Sequence, residues 1–249
     1  MYDADDFFYY YSEYDVVDIS DEEYKKLKAL YIKLYGGWDN IDLKNTSYNG
    51  INEKGKRQII GLDLSARERE YSWSNFFEYL KSRGLSGLKM VISDAHKGLV
   101  KAIKETFINV SWQRCQAHFL RNILSKAPKK NAEEFRADIK ALLKIQDVSL
   151  ARKMKDEIFV KYEKEKKYQN SLKTLNEGFE DAFSYLANNV IHSRLRSTNC
   201  LERLNEEIRR REKVIRIFPN EKSAIRLIGA ILIDINEDWI TSSRIYIKM

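Results

Sequence analysis

Cysteine and proline are scarce in this sequence of 249 residues. The two cysteines, Cys115 and Cys200, are too few for a disulfide framework, which favours a reducing cytoplasm. The two prolines, Pro128 and Pro219, leave long stretches without an element breaker, so long regular elements are expected. No apolar run approaches the ~18 residues of a membrane-spanning helix, so no membrane association is expected. The start of the chain lacks basic residues, whereas a secretory signal peptide begins with positive charge, so none is expected.

The charge is distributed unevenly along the chain. Residues 1–23 contain nine acidic side chains and no Lys or Arg. The remainder therefore has 44 basic against 28 acidic side chains, a balance of +16. So basic a body favours a polyanionic partner, with nucleic acid first and an anionic membrane second, although a solvated basic surface is the simpler interpretation. The composition changes near Tyr24, which separates an acidic arm from the rest.

The hydrophobic pattern predicts the order β-β-β-α-β-α-β followed by helices. The first three strands are expected to form an antiparallel meander, because Gly55 closes a turn after the second strand. The continuous apolar run at 88–92 is typical of a strand that is buried on both faces. Predicted strands are 29–35, 43–51, 57–64, 88–92 and 109–114, and predicted helices are 71–83, a segment after Asp94, most of 116–187, 199–212 and 221–238.

Two carboxylates stand out by position. Asp94 follows the predicted strand 88–92, at the strand end where open α/β sheets bind ligands, although it is equally suited to cap the next helix. Glu202 lies on a predicted helix, where an ordinary exposed glutamate is the simpler interpretation. That helix has an apolar stripe that can pack on a sheet. The stripe consists of Leu201, Leu204 and Ile208, and the adjacent predicted polar face consists of Glu202, Asn205, Glu206 and Arg209.

Three segments carry a family resemblance. They are SDAHKGL at residues 93–99, RCQAH at 114–118 and STNCLERLNEEIRRREK at 197–213, followed by FPN at 218–220 and RLIG at 226–229. In this order they closely resemble the Mutator family of bacterial insertion-sequence transposases, and the resemblance covers residues 30–249. It implies a DDE-type catalytic core that cleaves DNA and transfers strands with Mg²⁺ or Mn²⁺, on an RNase H-like α/β fold with a mixed sheet flanked by helices and an all-α insertion.

The resemblance also assigns roles to residues. It implies Asp94 and Glu202 as metal ligands and catalytic carboxylates, with His118 beside the active site. We interpret Cys115 as a packing residue, since one Cys and one His do not form a zinc site. DNA is the implied partner, a homodimer on paired transposon ends the implied assembly, and the nucleoid of the bacterial cytoplasm the implied location. The residues expected to bind DNA are Arg203, Arg209, Arg210 and Arg211.

The first aspartate of a DDE set is not found where the resemblance places it. That position, two residues before Leu30, is occupied by Lys28. A protonated lysine cannot bind Mg²⁺ and repels it. Neither Asp39, Asp42 nor Asp63 is a convincing replacement. The chain also has no room for the transposon-end-binding region of the family, so we expect an N-terminally truncated element.

The expected organisation has four parts. An acidic arm covers 1–27, the first part of the RNase H-like core 28–121, a helical insertion 122–195, and C-terminal helices with the third carboxylate 196–249. Three functions remain open: an active core with an unusual first ligand, an inactive remnant that still binds DNA, and a host-adapted DNA-binding regulator. We expect transposase activity that is impaired by Lys28.

Overall fold

A computed structural model describes residues 32–35, 47–52, 54–65, 70–187, 193–212 and 221–247. Lys28 and the predicted acidic arm lie outside this part of the chain. The α/β class is confirmed, and helices predominate. The strands are β1 (Ile32–Tyr35), β2 (Ser47–Ile51), β3 (Arg57–Ser65), β4 (Met90–Ser93) and β5 (Ser111–Arg114). The helices are α1 (Glu70–Ser82), α2 (Lys97–Thr106), α3 (Gln116–Ser125), α4 (Glu133–Leu142), α5 (Val148–Tyr162), α6 (Gln169–Phe183), α7 (Asn199–Glu212) and α8 (Glu221–Thr241), with short 3₁₀ turns between some of them.

The first sheet has the order β1-β3-β2, so the predicted antiparallel meander is wrong. β2 and β3 do form an antiparallel hairpin, whose turn uses Gly55 at φ 71° and the Asn52 side chain as an acceptor for Lys54 N and Lys56 N. β1, however, pairs in parallel with β3. The short 52–56 connection requires antiparallel neighbours, whereas the longer 36–46 connection gives the chain enough length to cross to the other edge of β3.

The second sheet consists of β4 and β5 in parallel, joined through α2. The described strands thus form two sheets, where the sequence predicts one mixed sheet. The predicted burial of β4 on both faces is also wrong, because Met90, Val91 and Ile92 are half-buried and only Ser93 is buried. An apolar run indicates that a strand is hydrophobic, whereas the burial of that strand depends on how many other elements pack against it.

The predicted helices in 116–187 are confirmed as α3 to α6. Their apolar faces meet in one core that includes Phe119, Phe135 and Phe179, each fully buried. The Phe135 ring stacks on Tyr168 at 4.7 Å and meets Tyr162 edge-on at 5.0 Å. Such aromatic pairs add about 0.5–1.5 kcal/mol beyond the area they bury.

The chain divides into two compact units. The first contains the three-stranded sheet with most of α7 and all of α8, and in it Ile59 N donates a 2.8 Å hydrogen bond to the buried Asn236 side chain of α8. The second contains β4, β5 and helices α2 to α6. In the described residues no helix is long and apolar enough to cross a membrane.

Two buried glutamines connect β5 and α3 with the end of α6. Gln113 is fully buried, and its Nε2 donates to Ala182 O at 2.7 Å. Its Oε1 accepts from Ser184 Oγ and Tyr185 N, both at 2.8 Å. Gln116 Nε2 donates to the same Ala182 carbonyl at 2.8 Å. A buried amide that lacked these partners would cost about 1–3 kcal/mol, so the contacts hold β5 in place.

Gly178 is the point of closest approach between α6 and the residues at the β5–α3 junction. A Cβ there would lie 2.4 Å from Arg114 Nη1 and 2.6 Å from Phe119 Cε2. Both distances are shorter than real carbon contacts. The ring of Phe119 is fully buried, so its movement would disturb the surrounding core.

We predict that Gly178→Ala lowers the free energy of unfolding by up to about 2 kcal/mol, because overpacking of ~1–3 kcal/mol opposes a helix-propensity gain of ~1 kcal/mol. Urea unfolding measures the change. Asn176→Ala, on the exposed side of the same helix, is the matched control and should be neutral or stabilising. Equal stabilisation by both substitutions would contradict the close approach.

Candidate active site

Asp94 lies directly after β4 in the connection to α2, and its side chain is half-buried. The neighbouring Ser93 is fixed by β5 and the residue after it: Cys115 N donates to Ser93 O at 2.7 Å, and Trp112 Nε1 donates to Ser93 Oγ at 2.9 Å. The N-cap of α2 is His96, whose N donates to Asp94 Oδ1 at 3.4 Å. Asp94 is thus not the N-cap itself, and its predicted position at a strand end is confirmed.

Arg114 is a cation beside this carboxylate. It is the register partner of Ser93 on β5. Burial lowers the pKa of the Arg114 guanidinium, and the charges of Asp181, Glu177 and Asp94 oppose that change. Because arginine keeps its proton at any ordinary pH, Asp94 has a permanent positive neighbour.

The Arg114 side chain occupies a shaped seat. Its Cζ lies 4.7 Å from the centre of the Phe119 ring, and its Nη1 fills the space left by the absent side chain of Gly178. Its Nε is buried without a hydrogen-bond partner. The guanidinium is therefore positioned by packing against Phe119 and Gly178, and Asp181, Glu177 and Asp94 lie within electrostatic reach of it.

Cys115 is more than the packing residue that the sequence predicts. The thiol is fully buried, as expected of packing, but three polar groups converge on its sulfur. His118 Nδ1 lies 3.2 Å from Sγ, Thr198 N donates at 3.4 Å, and Thr198 Oγ1 donates at 3.3 Å. Thr198 directly precedes α7, so the sulfur joins the start of α3 to the residue before the helix that carries Glu202.

These contacts alter the acidity of the thiol. Burial raises the pKa of Cys115, and the hydrogen bonds from His118 and Thr198 outweigh burial and lower it to about 7. The sulfur therefore has substantial thiolate character near neutral pH. A thiolate accepts hydrogen bonds better than a thiol does, which accounts for the three converging groups.

Helix α7 has the bounds predicted for it. Leu204 and Ile208 are buried and Leu201 is half-buried, so the predicted apolar stripe is confirmed. Asn205 is also buried and belongs to that stripe, which corrects its assignment to the polar face. Glu202 is half-buried at the border of the stripe.

The arginines of α7 differ in their surroundings. Arg203 is exposed and Arg209 is half-buried. Arg210 is exposed and donates two hydrogen bonds to Glu207, at 2.8 and 2.9 Å. Arg211 belongs to the helix, with its side chain outside the described part.

Carboxylate oxygens are ligands of the kind that Mg²⁺ prefers, and Asp94 and Glu202 supply them. Within the described residues, however, no three His, Cys, Asp or Glu side chains lie close enough together to hold a metal ion. Asp94 and Glu202 belong to different compact units. The described residues alone therefore do not complete a metal site.

Sequence reasoning missed Arg114 and Thr198 as parts of the site. Both lie inside the segments that carry the family resemblance, RCQAH and STNCLERLNEEIRRREK, and that was the available signal. Their contacts join residues far apart in the chain, with 83 positions between Cys115 and Thr198. No local spacing rule reports such a contact.

Comparison with known proteins identifies the family. Residues 27–242 match the model of the family described as Transposase, Mutator family. The chain therefore belongs to the Mutator family of transposases.

Three relatives illustrate the similarity. The chain is 55% identical over 199 residues to the transposase for insertion sequence element IS256 in transposon Tn4001 of Staphylococcus aureus, covering 80% of this chain and 51% of that protein. It is 38% identical over 201 residues to the transposase for ISRM5 of Rhizobium meliloti, covering 80% and 50%. It is 32% identical over 217 residues to the transposase for IS1081 of Mycobacterium tuberculosis, covering 87% and 52%. The chain spans about half the length of the curated relatives it matches.

The acidity of Cys115 predicts a pH-dependent stability. The thiol has a lower pKa in the folded chain, about 7, than the ~8.5 of an unfolded chain. Its contribution is therefore fully present above ~8.5 and is lost as pH falls through about 7. We expect urea unfolding to show a gain on the order of 2 kcal/mol across this range, since one pKa unit is ~1.4 kcal/mol.

Two variants control this measurement. Cys115→Ala should abolish the gain, while Cys200→Ser, which removes the other thiol, should retain it. Ultraviolet absorbance of the thiolate follows the ionisation directly. A gain that survives in Cys115→Ala would assign the pH dependence to another group.

Proposed function

We propose that this chain is the catalytic region of a DDE-type transposase, which cleaves DNA at the ends of an insertion sequence and transfers the strands to a target. The observation that carries the proposal is the family match across 27–242, which includes both segments that contain the candidate carboxylates. The order β-β-β-α-β-α-β supports an RNase H-like core interrupted by the helices of 122–195.

Asp94 and Glu202 are the proposed catalytic carboxylates. Bound Mg²⁺ or Mn²⁺ would supply charge stabilisation at the reacting phosphate and an activated water. The residues themselves are suited to hold rigid positions. The Asp94 backbone follows a serine anchored on β5, and Glu202 borders the buried stripe of α7. His118 orients the site through its contact with Cys115, and Arg203 and Arg209 contact DNA.

We further propose that the activity of this chain is impaired by Lys28, which occupies the position of the first aspartate. A lysine there replaces a ligand with a charge that repels the metal. Two unit charges ~4 Å apart interact by ~4 kcal/mol at an effective dielectric constant of 20. A penalty of that size corresponds to a rate loss of about 1,000-fold.

Lys28 also favours a second candidate function, which should be tested beside the first. A chain that lacks the first ligand can act as an inactive DNA-binding or regulatory protein, which its basic body supports. The first proposal, a DDE-type transposase, also includes a homodimer that works on paired transposon ends at the nucleoid.

We predict that Lys28→Asp raises cleavage of supercoiled DNA carrying the element's ends by about 1,000-fold, because it restores the ligand and removes the repulsion. The assay uses Mg²⁺ or Mn²⁺ and counts nicked and linear products. Adding Glu202→Ala or Asp94→Ala to Lys28→Asp should abolish the gained activity.

Lys26→Asp is the matched control, since it makes the same charge change two residues away. It should leave cleavage at the level of the natural chain. Equal cleavage by the natural chain and Lys28→Asp would show that another group is the first ligand. If every variant folds and binds DNA but none cleaves, the inactive DNA-binding protein is the better account.

A further inference from the structure

Three lysines form a row on one face of α2. Lys97, Lys101 and Lys104 are spaced at i, i+4 and i+7, which places them on the same side of the helix. All three are exposed. On other sides of the helix Ala102 and Ile103 are buried, at 0% and 1% exposure. The apolar residues therefore anchor α2 in the protein while the lysine row points to solvent.

The row has three ammonium groups, against one carboxylate on the same helix. The one acidic residue of α2 is Glu105, whose carboxylate lies 3.8 Å from Lys101 Nζ. Both side chains are more than half exposed, so solvent screens this pair and it offsets little charge. The Lys104 ammonium lies 5.6 Å from the centre of the Trp112 ring, which restricts its position without neutralising it.

The dimensions of the row suit a nucleic-acid backbone. A rise of ~1.5 Å per residue separates Lys97 from Lys104 by ~10 Å. Duplex DNA rises by ~3.4 Å of axis for each phosphate of a strand, so the row is about as long as the axial rise of three base pairs. Lys97 is also the third residue after Asp94, which puts one end of the row beside the candidate carboxylate.

We propose that Lys97, Lys101 and Lys104 bind the phosphate backbone of DNA and guide it past Asp94. This inference rests on the proposed function and adds a DNA-binding face apart from the arginines of α7. Lysine ammoniums are point charges without the paired donors that read base edges, so the contact is independent of sequence. DNA fits better than an anionic membrane, because a helix lying on lipid inserts its apolar side, and on α2 Ala102 and Ile103 are buried in protein while Leu99 and Val100 are half-buried.

The test is equilibrium binding of the full chain to a short duplex of unrelated sequence at several salt concentrations. The variant is Lys97→Ala/Lys101→Ala/Lys104→Ala. We expect about a tenfold or larger loss of affinity near ~0.1 M salt, and a slope of log K against log salt that is smaller by about 2–3, since each phosphate contact contributes ~0.9.

The matched control is Lys140→Ala/Lys144→Ala/Lys153→Ala, which removes three exposed lysines elsewhere in the same unit. It should change the slope by less than ~1. Equal losses in the two triple variants would overturn the inference, because net charge alone would then explain binding. Unchanged DNA binding by the α2 variant, with reduced binding to phosphatidylserine vesicles, would assign the row to a membrane and overturn it as well.

Failure of this inference can be distinguished from failure of the proposed function. If the natural chain does not bind DNA at any salt concentration, both are overturned. If Arg203→Ala/Arg209→Ala loses affinity while the α2 variant does not, DNA binding stands and the lysine row is overturned alone. Circular dichroism of each variant shows that its helices are intact.

Discussion

The buried amide of Gln113 is the contact on which the second unit depends. Its two N–H groups donate to Ala182 O and Arg114 O, and its oxygen accepts from Ser184 and Tyr185. Four hydrogen bonds use the full capacity of a side-chain amide. An amide that forms all four of its hydrogen bonds is held in one position, and the Gln113 amide therefore fixes the position of β5. The segment that contains Arg114, Cys115 and His118 begins at the next residue. The contacts of the Gln113 amide therefore also fix where this segment starts.

The same dependence explains what could be predicted from the sequence. The periodic spacing of apolar residues predicted the bounds and the buried stripe of α7, because local geometry sets which residues share a helix face. The 52–55 turn predicted the β2–β3 hairpin, but no feature of 36–46 indicates which edge of β3 receives β1. The family resemblance directed attention to Asp94 and Cys115. The resemblance could not predict where the Arg114 side chain packs. That packing depends on Gly178, a residue that is distant in the chain and close in space.

Burial and pairing decide what a basic residue can do. Arg210 and the three lysines of α2 are all exposed, but Arg210 donates two hydrogen bonds to Glu207. Arg114 is half-buried, within electrostatic reach of Asp94, Glu177 and Asp181. The charge of the sequence is therefore a poor guide to its electrostatic surface.

Because Cys115 is enclosed, the rate at which its thiol reacts reports how often the structure around it opens. A fully buried sulfur meets a reagent in solution only when the surrounding structure opens. Three polar groups contact Sγ, namely Thr198 N, Thr198 Oγ1 and His118 Nδ1, so opening must displace one or more of them. The rate at which the thiol is labelled, with Cys200 replaced by serine, thus records how often these contacts open.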